Sequence, residues 1–257
     1  MANLSPDPRT TERPTAPCAL YAGTSGFAYP AWKPEFYPAK LAQKDFLKHY
    51  ATRLNAVEVN YTFRQLPSAS TLENWVAATP DGFVFALKAH QKITHILRLK
   101  ESEFTAVFFK AIDPLRATRR LGPVLFQLPP NLKADAALLG AFLEKLPEDI
   151  RCAFEFRNAS WLTDEVYKLL EKRRVALCLA ESEKFEVPEV LTADFVYVRL
   201  RKTDYSAEDR AEIAGRARRM VEGGRDVYAF FKHEESPAGA IYAEELLRPR
   251  SGEESSQ

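Results

Sequence analysis

Eight short apolar runs, separated by stretches of helical periodicity, restrict this chain to a layered α/β fold. The runs cover 20–25, 56–60, 83–88, 122–128, 152–156, 175–180, 195–200 and 226–231. Helical patterns fill 43–54, 69–78, 101–120, 134–145, 162–173 and 207–222. Within 101–120, Phe104, Val107, Phe108, Ala111 and Leu115 form an apolar stripe to lay against a sheet. Strand–helix alternation predicts a parallel sheet, and eight strands predict a closed (β/α)8 TIM-like barrel. A doubly wound open sheet is the rival, but the phosphate-binding loops that accompany it, GxGxxG and GxxxxGK(S/T), are missing. A length of 257 residues suits one such domain, placed at 18–247. Residues 1–17 and 248–257 are rich in Pro, Thr, Ser and charge, and are expected to be flexible tails.

Several of the apolar runs end in charge. Strand side chains alternate faces, so each run sorts into an outward and an inward set. Val57, Val59, Phe85, Leu87, Val124, Phe126, Phe154, Phe156, Val196 and Val198 suit the helix layer. That leaves Ala56, Val84, Ala86, Leu125, Ala153, Ala176, Cys178, Ala180, Tyr197, Tyr228 and Phe230 inside, followed by polar residues at the C-terminal strand ends. The expected polar ring holds Ser25, Glu58, Asn60, Lys88, Gln127, Glu155, Arg157, Arg199 and Lys232, with Arg201 near its rim. Barrel active sites lie at this end, where the βα loops converge. A self-satisfied layer of ion pairs plugging the barrel would use the same residues. Lys88, Arg157, Arg199 and Lys232 outnumber Glu58 and Glu155, however, and a buried cation without a partner is costly. An anionic ligand resolves the surplus.

Composition narrows the choice. Lys and Arg (36) balance Asp and Glu (35) for a formal charge of +1, which gives no support for a generally basic, nucleic-acid-binding surface. Cys18, Cys152 and Cys178 are widely spaced and odd in number, which argues against a disulfide framework or a zinc motif and for a reducing cytoplasm. No apolar stretch approaches a membrane span, and the first residues lack a signal-peptide core. Of the four histidines, His49 sits in a helical pattern, and His90, His95 and His233 are too few for a multinuclear metal site. No metal site is assigned, and nothing indicates an organic cofactor.

The chain also resembles a known family. Gly23-Thr24-Ser25-Gly26-Phe27, Trp32 to Phe36-Tyr37-Pro38, and Val57-Glu58-Val59-Asn60-Tyr61-Thr62-Phe63 carry the likeness. So do Phe85-Ala86-Leu87-Lys88-Ala89, Ile93-Thr94-His95, Gly122 to Pro130, Phe154-Glu155-Phe156-Arg157-Asn158 with Ser160-Trp161, and Ala193 to Leu200. These blocks are similar to the YecE-like family, a domain of unknown function, in collinear order over about 20–247. The resemblance implies a TIM barrel and no particular activity. This chain departs from the commoner pattern at Glu181-Ser182, where many members have Asp, at Arg201-Lys202 (His-Gly) and at Lys232-His233 (two Asn). The last two departures add positive charge.

Several chemistries fit the ring. Glu58 and Glu155 are candidates for acid/base work on a phosphorylated or carboxylated small molecule, with isomerase, lyase and hydrolase reactions all open. The same pair supports an alternative glycoside hydrolase reading, with Trp32, Trp161, Tyr61 and Phe63 as platforms for a sugar. Lys88 is a candidate Schiff-base amine, although pairing with Glu58 of the neighbouring strand is the expected arrangement. His95 is a candidate general acid or base. Ser25, Asn60, Gln127, Arg157, Arg199 and Lys232 complete the expected ligand-binding set. A non-catalytic binder of anions or nucleic acid is the other class. The sequence gives no evidence on oligomeric state.

Overall fold

Each of the eight apolar runs becomes a strand, and all pair in parallel. The computed structural model describes residues 18–248; the expected tails at 1–17 and 249–257 lie outside the described residues. The strands are β1 (Leu20–Thr24), β2 (Ala56–Val59), β3 (Val84–Lys88), β4 (Leu121–Gln127), β5 (Cys152–Glu155), β6 (Ala176–Ala180), β7 (Phe195–Leu200) and β8 (Asp226–Phe231). Their spatial order runs β1-β8-β7-β6-β5-β4-β3-β2. A single bridge between Ser25 and Glu58 joins the two ends, so the sheet is a nearly closed (β/α)8 barrel.

The helices are α1 (Phe46–Tyr50), α2 (Tyr61–Arg64), α3 (Ala69–Ala77), α4 (Phe104–Ala117), α5 (Ala136–Leu143), α6 (Asp164–Lys172), α7 (Ala207–Glu222) and α8 (Ala238–Leu247). Side-chain capping starts four of them. Ser68, Asp135, Thr163 and Ser206 cap α3, α5, α6 and α7 through their side chains, satisfying N–H groups that have no partner inside a helix. The pattern over 43–54 yields only a short 3-10 turn and α1. The link from β6 to β7 carries no helix. Among the described residues no helix is long and apolar enough to cross a membrane.

The inward–outward sorting holds throughout. Val57, Phe85, Val124, Phe126, Phe154 and Val196 pack in the layer between sheet and helices. Ala56, Val84, Ala86, Leu125, Ala153, Ala176, Cys178, Ala180, Phe195, Tyr197, Tyr228 and Phe230 form a separate cluster inside the barrel. Small side chains from β2, β3, β5 and β6 meet larger ones from β4, β7 and β8 there. At the N-terminal end, Tyr21 stacks on Tyr228 with centroids 4.7 Å apart, and Arg151 bonds Asp226 (2.5 Å) and the Tyr228 hydroxyl (2.9 Å).

Side chains stitch the seam between β1 and β2, where most ladder hydrogen bonds are missing. Asn55 Oδ1 accepts from the Ala22 N–H (2.9 Å), and its Nδ2 donates to the Leu20 carbonyl (2.9 Å). The Tyr50 hydroxyl accepts from the Thr24 N–H (2.8 Å) and donates to the Ala56 carbonyl (3.0 Å). Gly23 makes this approach possible, because a Cβ there would lie 1.9 Å from the Ala56 carbonyl oxygen and 2.7 Å from the Tyr50 hydroxyl. Backbone cannot yield cheaply to such an overlap. Gly23→Ala is therefore expected to cost about 3 kcal/mol or more in urea unfolding. Tyr50→Phe, which strands one donor and one acceptor, should cost about 1–3 kcal/mol.

Candidate functional site

At the C-terminal end the apolar interior gives way to a buried chain of charges. β2 delivers Glu58, β5 Glu155 and β7 Arg199, and all three are at most 2% exposed. Arg199 Nη2 donates to Glu58 Oε1 (2.7 Å) and Nη1 to Glu155 Oε2 (2.6 Å). Just past β7, Arg201 Nη2 donates to Glu155 Oε1 (2.7 Å). Neutral groups take the remaining sites: Ser25 Oγ donates to Glu58 Oε1 (2.6 Å), Tyr197 to Glu58 Oε2 (2.8 Å), and Gln127 Nε2 to both oxygens of Glu155 (2.9 Å each). Two carboxylates and two guanidiniums cancel. Burial raises the Glu155 pKa, but Arg199 and Arg201 overcome it and hold the carboxyl at about 2.

Lys88 stands apart from this network. The expected pair with Glu58 does not form. The register sets Glu58 opposite Ala86 and Lys88 opposite Leu125, so Lys88 turns toward β4. Its Nζ donates to Gln127 Oε1 (2.8 Å) and lies 4.1 Å above the Phe63 ring. Among the described residues no carboxylate comes within ion-pairing distance of it. Burial first, and then the charge of Arg199, lower its pKa from 10.5 to about 8.

His95 packs edge-on against the same Phe63 ring at 5.0 Å between centroids. Its Nδ1 meets Thr94 Oγ1 at 2.9 Å. Burial, followed by the charges of Lys88, Arg157 and Arg98, lowers its pKa below 6.5, so the ring is neutral at pH 7. His95 lies on a wide helical turn over Lys92–Ile96. The next residues, Arg98 (φ 50°) and Leu99 (φ 65°), are both in the left-handed region. Such backbone strain in non-glycine residues gathers at functional sites.

The other expected site residues divide. Ser25 and Gln127 belong to the buried network. Asn60 is half-buried at the head of α2 with no side-chain cap bond. Arg157 is exposed and makes no hydrogen bond or ion pair among the described residues. Lys232 lies on the surface, 3.9 Å from Glu234, and does not join the ring.

Trp32 and Trp161 offer no face to a ligand. Both are fully buried. Trp32 stacks on Tyr37, and Trp161 stacks on Phe156 while donating to the Leu132 carbonyl (2.8 Å). They anchor loops to the core. Glu58 and Glu155, the expected acid/base pair, both hold the Arg199 guanidinium and have their oxygens bonded to protein donors.

Phe63, one of the expected stacking aromatics, packs against Lys88 and His95. Two contributors were not anticipated as site residues: Arg98 adds charge beside His95, and Glu181 fixes the loop after β7. Glu181 Oε2 accepts from the Arg201 N–H (2.5 Å), the Lys202 N–H (3.0 Å) and the Tyr205 hydroxyl (2.5 Å). Phe63 was visible as an aromatic in the loop after β2, whereas nothing in the sequence marked Arg98. Among the described residues no group of His, Cys, Asp and Glu side chains could hold a metal ion.

Comparison with known proteins gives a consistent result. Residues 21–256 match the family described as protein of unknown function DUF72. The UPF0759 protein YunF of Bacillus subtilis (strain 168) is 32% identical over 157 residues, covering 58% of this chain and 54% of that protein. The matched stretch thus spans about half the length of that curated relative. A DUF72 family protein of Thermotoga maritima MSB8 superposes with a TM-score of 0.78 at 27% identity, covering 89% of this chain and 97% of the other. A DUF72 family protein of Enterococcus faecalis V583 gives 0.71 at 18% identity, with 89% and 96% covered. The second likeness bears on the fold alone.

Two expectations follow from the charges. Because the folded pKa of Glu155 lies below 4.5, its carboxylate adds stability above that value and loses it as pH falls toward about 2. Glu155→Gln should cost about 3–5 kcal/mol at pH 7, and the deficit should shrink over that acid range in thermal unfolding. The Lys88 pKa is also lowered, so its contribution too rises with pH, in an alkaline window. Between pH 8 and 10.5 it is neutral when folded but charged when unfolded, so wild type should gain about 3 kcal/mol relative to Lys88→Met across that window.

Proposed function

The chain belongs to the DUF72 family, and from its site we propose that the barrel binds and acts on a small phosphorylated or carboxylated compound at the C-terminal ends of its strands. Lys88 carries this reading: a half-buried ammonium whose one hydrogen bond goes to a neutral amide, with no carboxylate beside it. A cation kept dry without a counter-ion is costly, and a ligand anion offsets that cost. Arg157 supplies a free fork for a carboxylate or phosphate. Arg199 Nε and Arg201 Nε, buried donors without partners, add to the demand for an acceptor at this end.

The neutral layer of Glu58, Glu155, Arg199 and Arg201 acts as the floor. It shapes and orients, while Lys88 and neutral His95 are left as the groups able to exchange protons with a bound compound. This moves the chemistry from the carboxylate pair to the amine and imidazole.

Thermal shift against inorganic phosphate tests the reading. A saturable rise in Tm is expected for wild type, following RT ln(1 + [L]/Kd). Arg157→Ser should weaken apparent affinity about tenfold, in the range of one charge-assisted contact. Lys232→Ser, on the outer surface, should change nothing. Equal loss in both variants contradicts the site. Binding that requires long polynucleotides and falls steeply with salt would replace it with a nucleic-acid surface.

A further inference from the structure

Lys88 differs from a simple anion-binding lysine in its surroundings. Such a lysine works best fully charged, solvated and mobile. Here Gln127 Oε1 and the Phe63 ring fix the amine on two sides, and Gln127 in turn is locked by Glu155. The carboxamide can face only one way: its NH2 must donate to the carboxylate, which leaves its oxygen for the amine. Lys88 therefore receives a neutral acceptor where a carboxylate would have pinned it as an ammonium. A neutral imidazole, His95, packs on the same aromatic ring.

We propose that Lys88 is a nucleophilic amine that forms an imine with the carbonyl carbon of an anionic aldehyde or ketone, whose charged group is held by Arg157. The substrate class rests on the anion site proposed above. In the forward step the Nζ lone pair forms the C–N bond as the C=O π pair moves to oxygen. That oxygen gains a proton and the nitrogen loses one, giving a carbinolamine. The carbinolamine hydroxyl then takes a second proton, delivered from solvent through His95, the nitrogen lone pair forms the C=N bond as the C–O bond breaks, and water departs to leave an iminium on Lys88. No oxidant or reductant is needed. His95 Nε2, free of protein partners among the described residues, is the group placed to take and return the proton. The depressed pKa agrees with this role. With a value of about 8, roughly a tenth of Lys88 is unprotonated at pH 7, far more than for an ordinary lysine.

Reductive trapping reads the amine directly. The full chain is incubated at pH 7 with glyoxylate and cyanoborohydride, digested, and labelling at each lysine is followed by mass spectrometry. Lys88 is expected to label at least about tenfold faster than exposed Lys110 and Lys168, consistent with its larger neutral fraction. Excess sulfate should slow Lys88 and leave the other two unchanged. Propanal, which lacks the anionic group, should label Lys88 more slowly than glyoxylate does. Arg157→Ser should abolish that preference for glyoxylate while leaving propanal labelling intact.

Two results overturn the proposal, and they are distinguishable. If Lys88 labels no faster than Lys110 although sulfate and glyoxylate compete for the protein, the amine role fails and the anion site stands. If Lys88 labels equally fast with both aldehydes and sulfate has no effect, the anionic substrate class fails together with the site on which it rests. Both measurements use the wild-type chain, so neither depends on a variant folding.

Discussion

One guanidinium, that of Arg199, ties the two sides of the barrel interior together. It grips Glu58 from β2 and Glu155 from β5, and among the described residues no other group bonds both carboxylates. Buried ion pairs contribute little net stability compared with well-packed apolar groups, but losing one partner is severe. What the Arg199 bridge supplies is geometry. Three strands must reach their register together before Ser25, Tyr197, Gln127 and Arg201 can occupy the remaining donor and acceptor positions. The layer closes the apolar interior and presents a neutral platform to whatever lies above it.

That neutrality decides how the mouth of the barrel behaves. Had Arg199 or Arg201 been unpaired, they would have been the natural anion ligands and Lys88 a bystander. Since their charges are consumed below, Lys88 and Arg157 become the cations facing outward. Gln127 enforces the separation by carrying no charge. Its nitrogen serves the carboxylate and its oxygen the amine, so Lys88 touches the network without being neutralised by it. Phe63 shields the amine, and the strained turn before Leu99 holds His95 against the same ring. Charge, shielding and strain converge on one small region.

Much of this was legible in the sequence. Strand alternation assigned Ala56, Ala86, Ala153 and Tyr197 to the interior and Val57, Phe85 and Phe154 to the helix layer, because the two-residue period is fixed by backbone geometry. It also placed Glu58, Glu155 and Arg199 on the inner face. Which charge meets which was not legible, since pairing depends on the stagger between strands rather than on either strand alone. Glu58 and Lys88 look adjacent in a strand list, yet the register sends one to Arg199 and the other to Gln127. Trp32 and Trp161 failed for a different reason. A loop aromatic reads the same whether it stacks on a ligand or on Tyr37 and Phe156. Lys232 was assigned by extending alternation one residue past β8, where the chain has already left the sheet.

The central claim is that Lys88 is a shielded amine without a counter-ion above a self-neutralised floor. Reductive methylation with 13C-formaldehyde, followed by NMR titration, measures it directly. One dimethyl-lysine resonance, absent from Lys88→Arg, should titrate near 8, well below an ordinary lysine. Titration of that resonance together with the exposed lysines would mean that Lys88 is solvated or paired, and would contradict the account.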